Sequence, residues 1–146
     1  MEDNYMEEAI KEAEFAYLSG EVPVGAVIVK DGKIIARGHN EKEKSKDVTF
    51  HGEMIAIRRA EEAIDNWRLS ECDMYVTLEP CPMCAGAIAQ ARLRNIYIGT
   101  FNIEEGACGS VINIVKSDSL NYHVNVNWMY NERCSSLLTE FFKKSR

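Results

Sequence analysis

The pattern that most constrains this chain is His51-Gly52-Glu53, followed downstream by Pro80-Cys81-Pro82-Met83-Cys84. One imidazole nitrogen and two cysteine sulfurs are borderline-soft donors suited to zinc, and with three protein ligands the fourth tetrahedral corner falls to water. That is the donor set of a catalytic site, because a closed structural site takes four protein ligands. Glu53 adds a carboxylate able to take a proton from such a water and pass it on. Any fold of this chain must therefore bring the segment at His51 and the segment at Cys81 together.

Other uses of the same residues are weaker. A cysteine pair opening a helix after a strand also resembles a thioredoxin-like redox site, but that use leaves His51 and Glu53 without a role. A structural zinc site needs a fourth ligand, and Cys72, Cys108, Cys134, His39 and His123 all lack a companion at the usual close spacing. The three remaining cysteines read as small buried apolar residues, and the two other histidines as side chains satisfied by backbone.

The pattern of the chain alternates helices and strands. Met6, Ala9, Ile10, Ala13, Ala16 and Tyr17 form a helical stripe from Tyr5 to Leu18 that stops at Ser19-Gly20. Asp31-Gly32 between two β-rich runs, 26–29 and 34–36, predicts a tight antiparallel hairpin. A lysine-rich loop over 40–50 leads into a helix predicted from His51 to about Trp67, which puts His51 and Glu53 at its N-terminus. Met74 to Leu78 is a strand, and Pro80 suits the start of the helix that carries Cys81 and Cys84 on its first turn. There the positive end of the helix dipole favours the thiolate that metal binding requires. Asn95 to Thr100 gives a fourth strand, 101–113 a glycine-punctuated loop, His123 to Val126 a weak fifth strand, and 131–144 a final helix. This order predicts an α/β fold, a three-layer α/β/α sandwich around a five-stranded mixed sheet, with 1–146 as a single domain.

Composition is ordinary for a globular protein at 46% hydrophobic and 27% charged. There is no basic leader with an apolar run and no stretch of about eighteen apolar residues, so the expectation is a cytoplasmic protein with no membrane partner. Five cysteines in no regular framework fit reduced thiols. The net charge of −6 argues against a nucleic-acid partner. Its distribution softens that: Lys42, Lys44 and Lys46 cluster before the histidine, and Lys143, Lys144 and Arg146 close the chain.

Histidine, glutamate and the Pro-Cys-x-x-Cys turn in this order form the known signature of zinc nucleobase deaminases. The surrounding blocks are more specific. Glu21-Val22-Pro23-Val24-Gly25-Ala26, Gly38-His39-Asn40, Trp67-Arg68-Leu69, Tyr75 to Cys81, Met83 to Ala87, Gly106 to Ser110 and Leu137 to Phe142 resemble the bacterial tRNA-specific adenosine deaminase family of the cytidine deaminase superfamily. The resemblance runs over nearly the whole chain. It implies one Zn²⁺ per subunit on His51, Cys81 and Cys84, with Glu53 as the catalytic proton shuttle. It implies Asn40 as a substrate-binding hydrogen-bond partner, with Pro23 and Val24 shaping the pocket wall. It further implies a homodimer acting on a tRNA anticodon loop, converting the wobble adenosine of an arginine tRNA to inosine.

Some positions depart from the family pattern. Asp47-Val48-Thr49-Phe50 stands where the family has Asp-Pro-Thr-Ala, Gly52 where alanine is usual, and Val124 where arginine is usual. Asn102-Ile103-Glu104-Glu105 replaces a segment that tends to carry an aspartate and then a basic residue. The two acids would repel phosphate and keep open an alternative, a deaminase of a free nucleobase or nucleoside built on the same zinc site. A bulky Phe50 over the pocket would instead suggest a zinc-stabilised binding module.

Overall fold

The computed structural model describes residues 2–144. The elements run α1 (Glu2–Leu18), β1 (Gly25–Lys30), β2 (Lys33–His39), α2 (Lys42–Ser45), α3 (Gly52–Ile64), β3 (Cys72–Leu78), α4 (Pro82–Gln90), β4 (Asn95–Thr100), β5 (Asn125–Trp128) and α5 (Glu132–Lys144). The sheet has the order β2-β1-β3-β4-β5. Strand β1 is antiparallel to both neighbours, whereas β3, β4 and β5 run parallel. The fold is thus the predicted three-layer α/β/α sandwich on a mixed sheet.

Period-two alternation sorts the strand side chains between two cores. Ala26, Ile28, Met74, Val76, Ile96 and Ile98 pack with Ala56, Ala60, Ala85 and Ile88 of α3 and α4. Val27, Val29 and Tyr75 face the other way, onto Met6, Ala9, Ile10 and Ala13 of α1 and Cys134 and Leu137 of α5. On that second face Tyr75 stacks on Tyr97, centroids 4.3 Å apart and planes 6° apart, and Tyr5 tilts onto Tyr75 at 5.3 Å. The hairpin turn is as expected, with Asp31 and Gly32 both at positive φ.

Several boundaries differ from the expectation for local reasons. Helix α3 stops at Ile64 because Asp65 turns left-handed at φ +53, and Trp67 is left half exposed. Helix α4 starts at Pro82 with Cys81 as its N-cap, so Pro80 ends the preceding segment. The lysine-rich loop contains a single turn, α2, whose Glu43 and Lys44 amides donate to the buried Glu21 carboxylate at 3.1 and 2.9 Å. The fifth strand is shifted to Asn125–Trp128, because its ladder with β4 begins at Asn95↔Asn125. Helix α5 is capped by the Asn131 side-chain oxygen, which accepts from the Arg133 and Cys134 amides at 2.9 and 3.2 Å.

Buried Glu12 ties α1 to β2, accepting from Arg37 at 3.0 Å and pairing with His39 Nδ1 at 2.8 Å. Burial opposes its ionisation, but His39 and Arg37 outweigh that and hold the carboxyl below its usual range. His39 is thus satisfied by a carboxylate, and His123 by the Asn121 side chain, not by backbone.

Helix α1 crosses β1 at Gly25, where an added Cβ would overlap the Ala9 carbonyl oxygen and the Ala13 amide nitrogen. Both are backbone atoms of a packed helix and cannot swing away. Gly25→Ala is therefore expected to cost about 3 kcal/mol or more, the upper end of overpacking, measured by urea unfolding.

Candidate metal centre and its cavity

The helix starts predicted to carry the metal donors meet at one edge of the sheet. His51 is the N-cap of α3 in extended conformation, and Cys81 is the N-cap of α4, with Cys84 within that helix's first turn. Neither side chain makes a capping hydrogen bond to its own helix, and both are turned toward the cluster. His51 Nδ1 lies 3.7 Å from Cys81 Sγ and 3.5 Å from Cys84 Sγ, and the three donor atoms lie within 4.8 Å of one another. A tetrahedral zinc with bonds of about 2.0–2.1 Å to nitrogen and about 2.3 Å to sulfur holds such donors about 3.5–3.6 Å apart. The residues fit that ion.

The two thiols are driven apart in acidity, and Cys81 is the one held toward the thiolate that a metal requires. The Cys81 thiol is held down to about 4, first by the hydrogen bond from Cys84 and then, against burial, by His51. Cys84 is pushed up by its bond to Cys81 and by burial, so the pair shares one proton. His51 is raised by the Cys81 hydrogen bond.

Glu53 lies beside this cluster, almost wholly buried on the first turn of α3. Its Oε1 is, among the described residues, the one buried side-chain polar atom with no hydrogen-bond partner. Such an atom is costly unless a ligand is to meet it. Burial pushes the carboxyl up to about 7, placing it where a proton can be taken or given near neutral pH.

The site opens into a cavity of about 710 Å³ with His51, Glu53, Cys81 and Asn40 in its wall. Asn40 Oδ1 accepts from the Gly52 amide at 2.7 Å, satisfying an otherwise orphaned donor of α3. With its oxygen committed, Asn40 presents its NH₂ as the available donor. Val22 and Val24 line the wall while Pro23, in the tight turn closed by Val24 N–H to Val22 C=O, does not. The rest comes from Lys42 and Glu43 of α2, the 101–105 loop, and Leu138, Phe141 and Phe142 of α5.

The departures at Gly52 and Phe50 have a physical reading. A Cβ at Gly52 would sit 3.0 Å from the His39 Cα, so the α3 N-terminus and β2 are too close here for alanine without a shift. Phe50 is not part of the cavity wall. Its carbonyl accepts from Glu41 N–H and its ring lies under the Arg58 guanidinium, 5.5 Å from the centroid. The binding-module reading loses its motive.

Sequence reasoning missed Glu79. This buried carboxylate accepts from the amides of Asn102, Cys108 and Ser110 at 3.1, 3.0 and 3.1 Å and from the Ser110 hydroxyl. It anchors the loop that forms the cavity's far wall. An acid closing the β-rich run Met74–Leu78 just before Pro80 was the available signal, but its partners lie far along the chain.

The raised Glu53 group carries a stability consequence. A carboxyl whose folded value lies above its ordinary 4.5 favours folding at low pH and loses that contribution as pH rises through about 7. In protein stripped of metal by chelator, Glu53→Gln is therefore expected to stabilise by about 2–3 kcal/mol at pH 8 and by little at pH 4.5. Urea unfolding of both proteins at the two pH values checks this.

Comparison with known proteins agrees with the geometry. The profile of the MafB19-like deaminase family matches residues 1–146. A tRNA-specific adenosine deaminase of Bacillus subtilis (strain 168) is 43% identical over 143 residues, covering 97% of this chain and 89% of that protein. The tRNA-specific adenosine deaminase of Aquifex aeolicus (strain VF5) is 42% identical over 142 residues, covering 97% of this chain and 94% of its own. A solved structure from a study of A-to-I editing by tRNA:A34 deaminases superposes with a TM-score of 0.89 at 39% identity, covering 93% of this chain and 99% of that one. Guanine deaminase from Bacillus subtilis superposes at 0.65 with 32% identity, covering 79% and 84%. The chain belongs to the deaminase family that these profiles and structures define, in its tRNA-specific adenosine deaminase branch.

Proposed function

We propose that this chain is a zinc-dependent hydrolase that deaminates adenosine to inosine at the wobble position of a tRNA anticodon, with an arginine tRNA as substrate. The observation that carries the reading is the buried Glu53 carboxyl, its Oε1 unpartnered, beside a His51-Cys81-Cys84 donor set at the wall of a cavity of about 710 Å³. His51, Cys81 and Cys84 hold the zinc, which when bound supplies the Lewis acidity that activates a water at neutral pH. Glu53 takes the water's first proton and delivers it to the purine ring nitrogen beside the attacked carbon; it then takes the second proton from the hydroxyl of the tetrahedral adduct and passes it to the amino group, which leaves as ammonia. Asn40 donates from its NH₂ to the nucleoside, held in place by its own bond to Gly52. The α3 and α4 N-termini both face the site and favour its thiolates.

The target base must leave its stack to reach Glu53, which an unpaired anticodon loop allows at low cost. Among the described residues no helix is long and apolar enough to cross a membrane. Five free cysteines support a cytoplasmic location. A homodimer is the assembly we infer, supported by the half-exposed Trp67 over a hollow between α3 and α4 that Met54, Ile57 and Ala87 line. Glu104 and Glu105 at the cavity wall favour a second reading, deamination of a free base or nucleoside.

Zinc-loaded protein is expected to form inosine in an arginine-tRNA anticodon stem-loop, read by mass spectrometry, and to leave free adenosine, guanine and cytosine unreacted. Turnover of a free compound alone would select the second reading. Glu53→Ala should keep zinc and lose at least about a hundredfold in rate, and Cys81→Ala should lose zinc by elemental analysis.

Glu140, Lys143 and Lys144 of α5 line a shallow groove with Tyr17 of α1, with Lys144 Nζ 5.4 Å from the Tyr17 ring. Arg146 lies outside the described residues. If the two lysines meet phosphates, replacing both by alanine should lower the slope of log K against log salt by about 1.4, at about 0.7 per contact. An unchanged slope in a filter-binding titration removes them from the RNA interface.

A further inference from the structure

The cavity wall at Phe101 continues outward into an aromatic cluster that the deamination chemistry does not use. The Phe101 ring centroid lies 4.7 Å from that of Trp128 and 5.5 Å from that of Tyr130, with planes tilted by 37° and 58°. Phe101 is 43% exposed and Tyr130 64%. Tyr130 also sits at φ +52, a left-handed conformation that glycine adopts freely and a bulky aromatic rarely does. Hydrogen bonds on either side fix it there: Met129 N–H donates to Ile98 C=O at 2.8 Å and Asn131 N–H to Gly99 C=O at 2.7 Å. The chain therefore turns from β5 into α5 at Tyr130 with its ring held against Phe101. Strain held beneath an exposed aromatic beside the cavity motivates a functional reading of this surface.

We propose that Phe101, Trp128 and Tyr130 form a stacking platform for an unpaired nucleobase adjacent to the target nucleotide of the RNA substrate. This rests on the RNA deaminase reading above. Phe101 belongs both to the cavity and to the cluster, so a polynucleotide whose target base fills the cavity has its next base beside these rings. A free nucleoside would end inside the cavity and leave the platform without an occupant. Stacking also suits the local charge. Glu104 and Glu105 follow Phe101 on the same loop and disfavour phosphate, so attraction on this side must come from uncharged base faces. Aromatic stacking supplies it with little dependence on sequence.

The test uses zinc-loaded full-length protein, the anticodon stem-loop, and the variants Tyr130→Gly and Tyr130→Phe. Glycine removes the ring while relaxing φ, so the variant should melt no lower than wild type, and a defect cannot be laid to misfolding. The platform predicts a KM for the stem-loop raised about tenfold in Tyr130→Gly, with the loss on KM and not on kcat, and near wild-type KM in Tyr130→Phe. It also predicts that 2-aminopurine placed in the nucleotide on one side of the target is quenched on binding to wild type and less so on binding to Tyr130→Gly. Equal KM in wild type and Tyr130→Gly overturns the platform while leaving the deaminase reading intact. A change from dimer to monomer in Tyr130→Gly by sedimentation assigns the rings to a contact between copies and overturns it too. No inosine in the stem-loop with wild type overturns the functional reading and the platform with it.

Discussion

Strand β1 runs against both of its neighbours, and the site follows from that. The registers Gly25↔His39 and Ala26↔Val76 bring the start of β1 level with the ends of β2 and β3. Parallel pairing at Leu78↔Thr100 and Ile98↔Trp128 adds the ends of β4 and β5 to the same edge. The segments leaving these strands therefore supply Asn40, His51, Cys81 and Phe101 to one place. In a wholly parallel sheet the Val24-Gly25 corner would fall at the opposite edge, and the cavity would lose the wall that faces Asn40. The tight crossing of α1 over Gly25 holds that corner.

Three buried acids then fix what the sheet alone leaves loose. Strands β4 and β5 are parallel, a pairing that ordinarily uses a crossover helix, but residues 101–124 contain none. Glu79 replaces helical packing with charge-assisted hydrogen bonds to the amides of Asn102, Cys108 and Ser110. Glu21 does the same for α2, and Glu12 for the end of β2. Each anion is satisfied by donors close at hand, which is the condition for burying it. Glu53, with its unpartnered Oε1, is the exception, and the contrast separates acids that hold loops from the acid proposed to move protons.

The His51-Cys81-Cys84 cluster was legible because its chemistry is local: two sulfurs a helical turn apart and a histidine two residues from a glutamate need no knowledge of the fold. The Asp31-Gly32 hairpin and the helical stripe of α1 were legible for the same reason. What was not legible depends on distant partners. The end of α3 turns on Asp65 adopting a left-handed φ, and the position of β5 on its register with β4. Glu79 gives no sign in sequence of the amides it holds far downstream. Phe50 looked obstructive by size alone, and only the fold shows its ring drawn aside under Arg58.

The unpartnered oxygen of Glu53 and the left-handed backbone of Tyr130 are two places where local structure is held against its own preference. A buried carboxyl oxygen without a partner and a bulky residue in the left-handed region each cost about 1–3 kcal/mol. Both lie at the same sheet edge, one beside the metal donors and one beyond the Phe101 wall of the cavity. Elsewhere glycines and paired acids relieve such conflicts, as Gly25 does under α1 and Glu12 does beside Arg37. Two such positions at one edge put the packing of the two cores behind the surface that the proposed substrate meets.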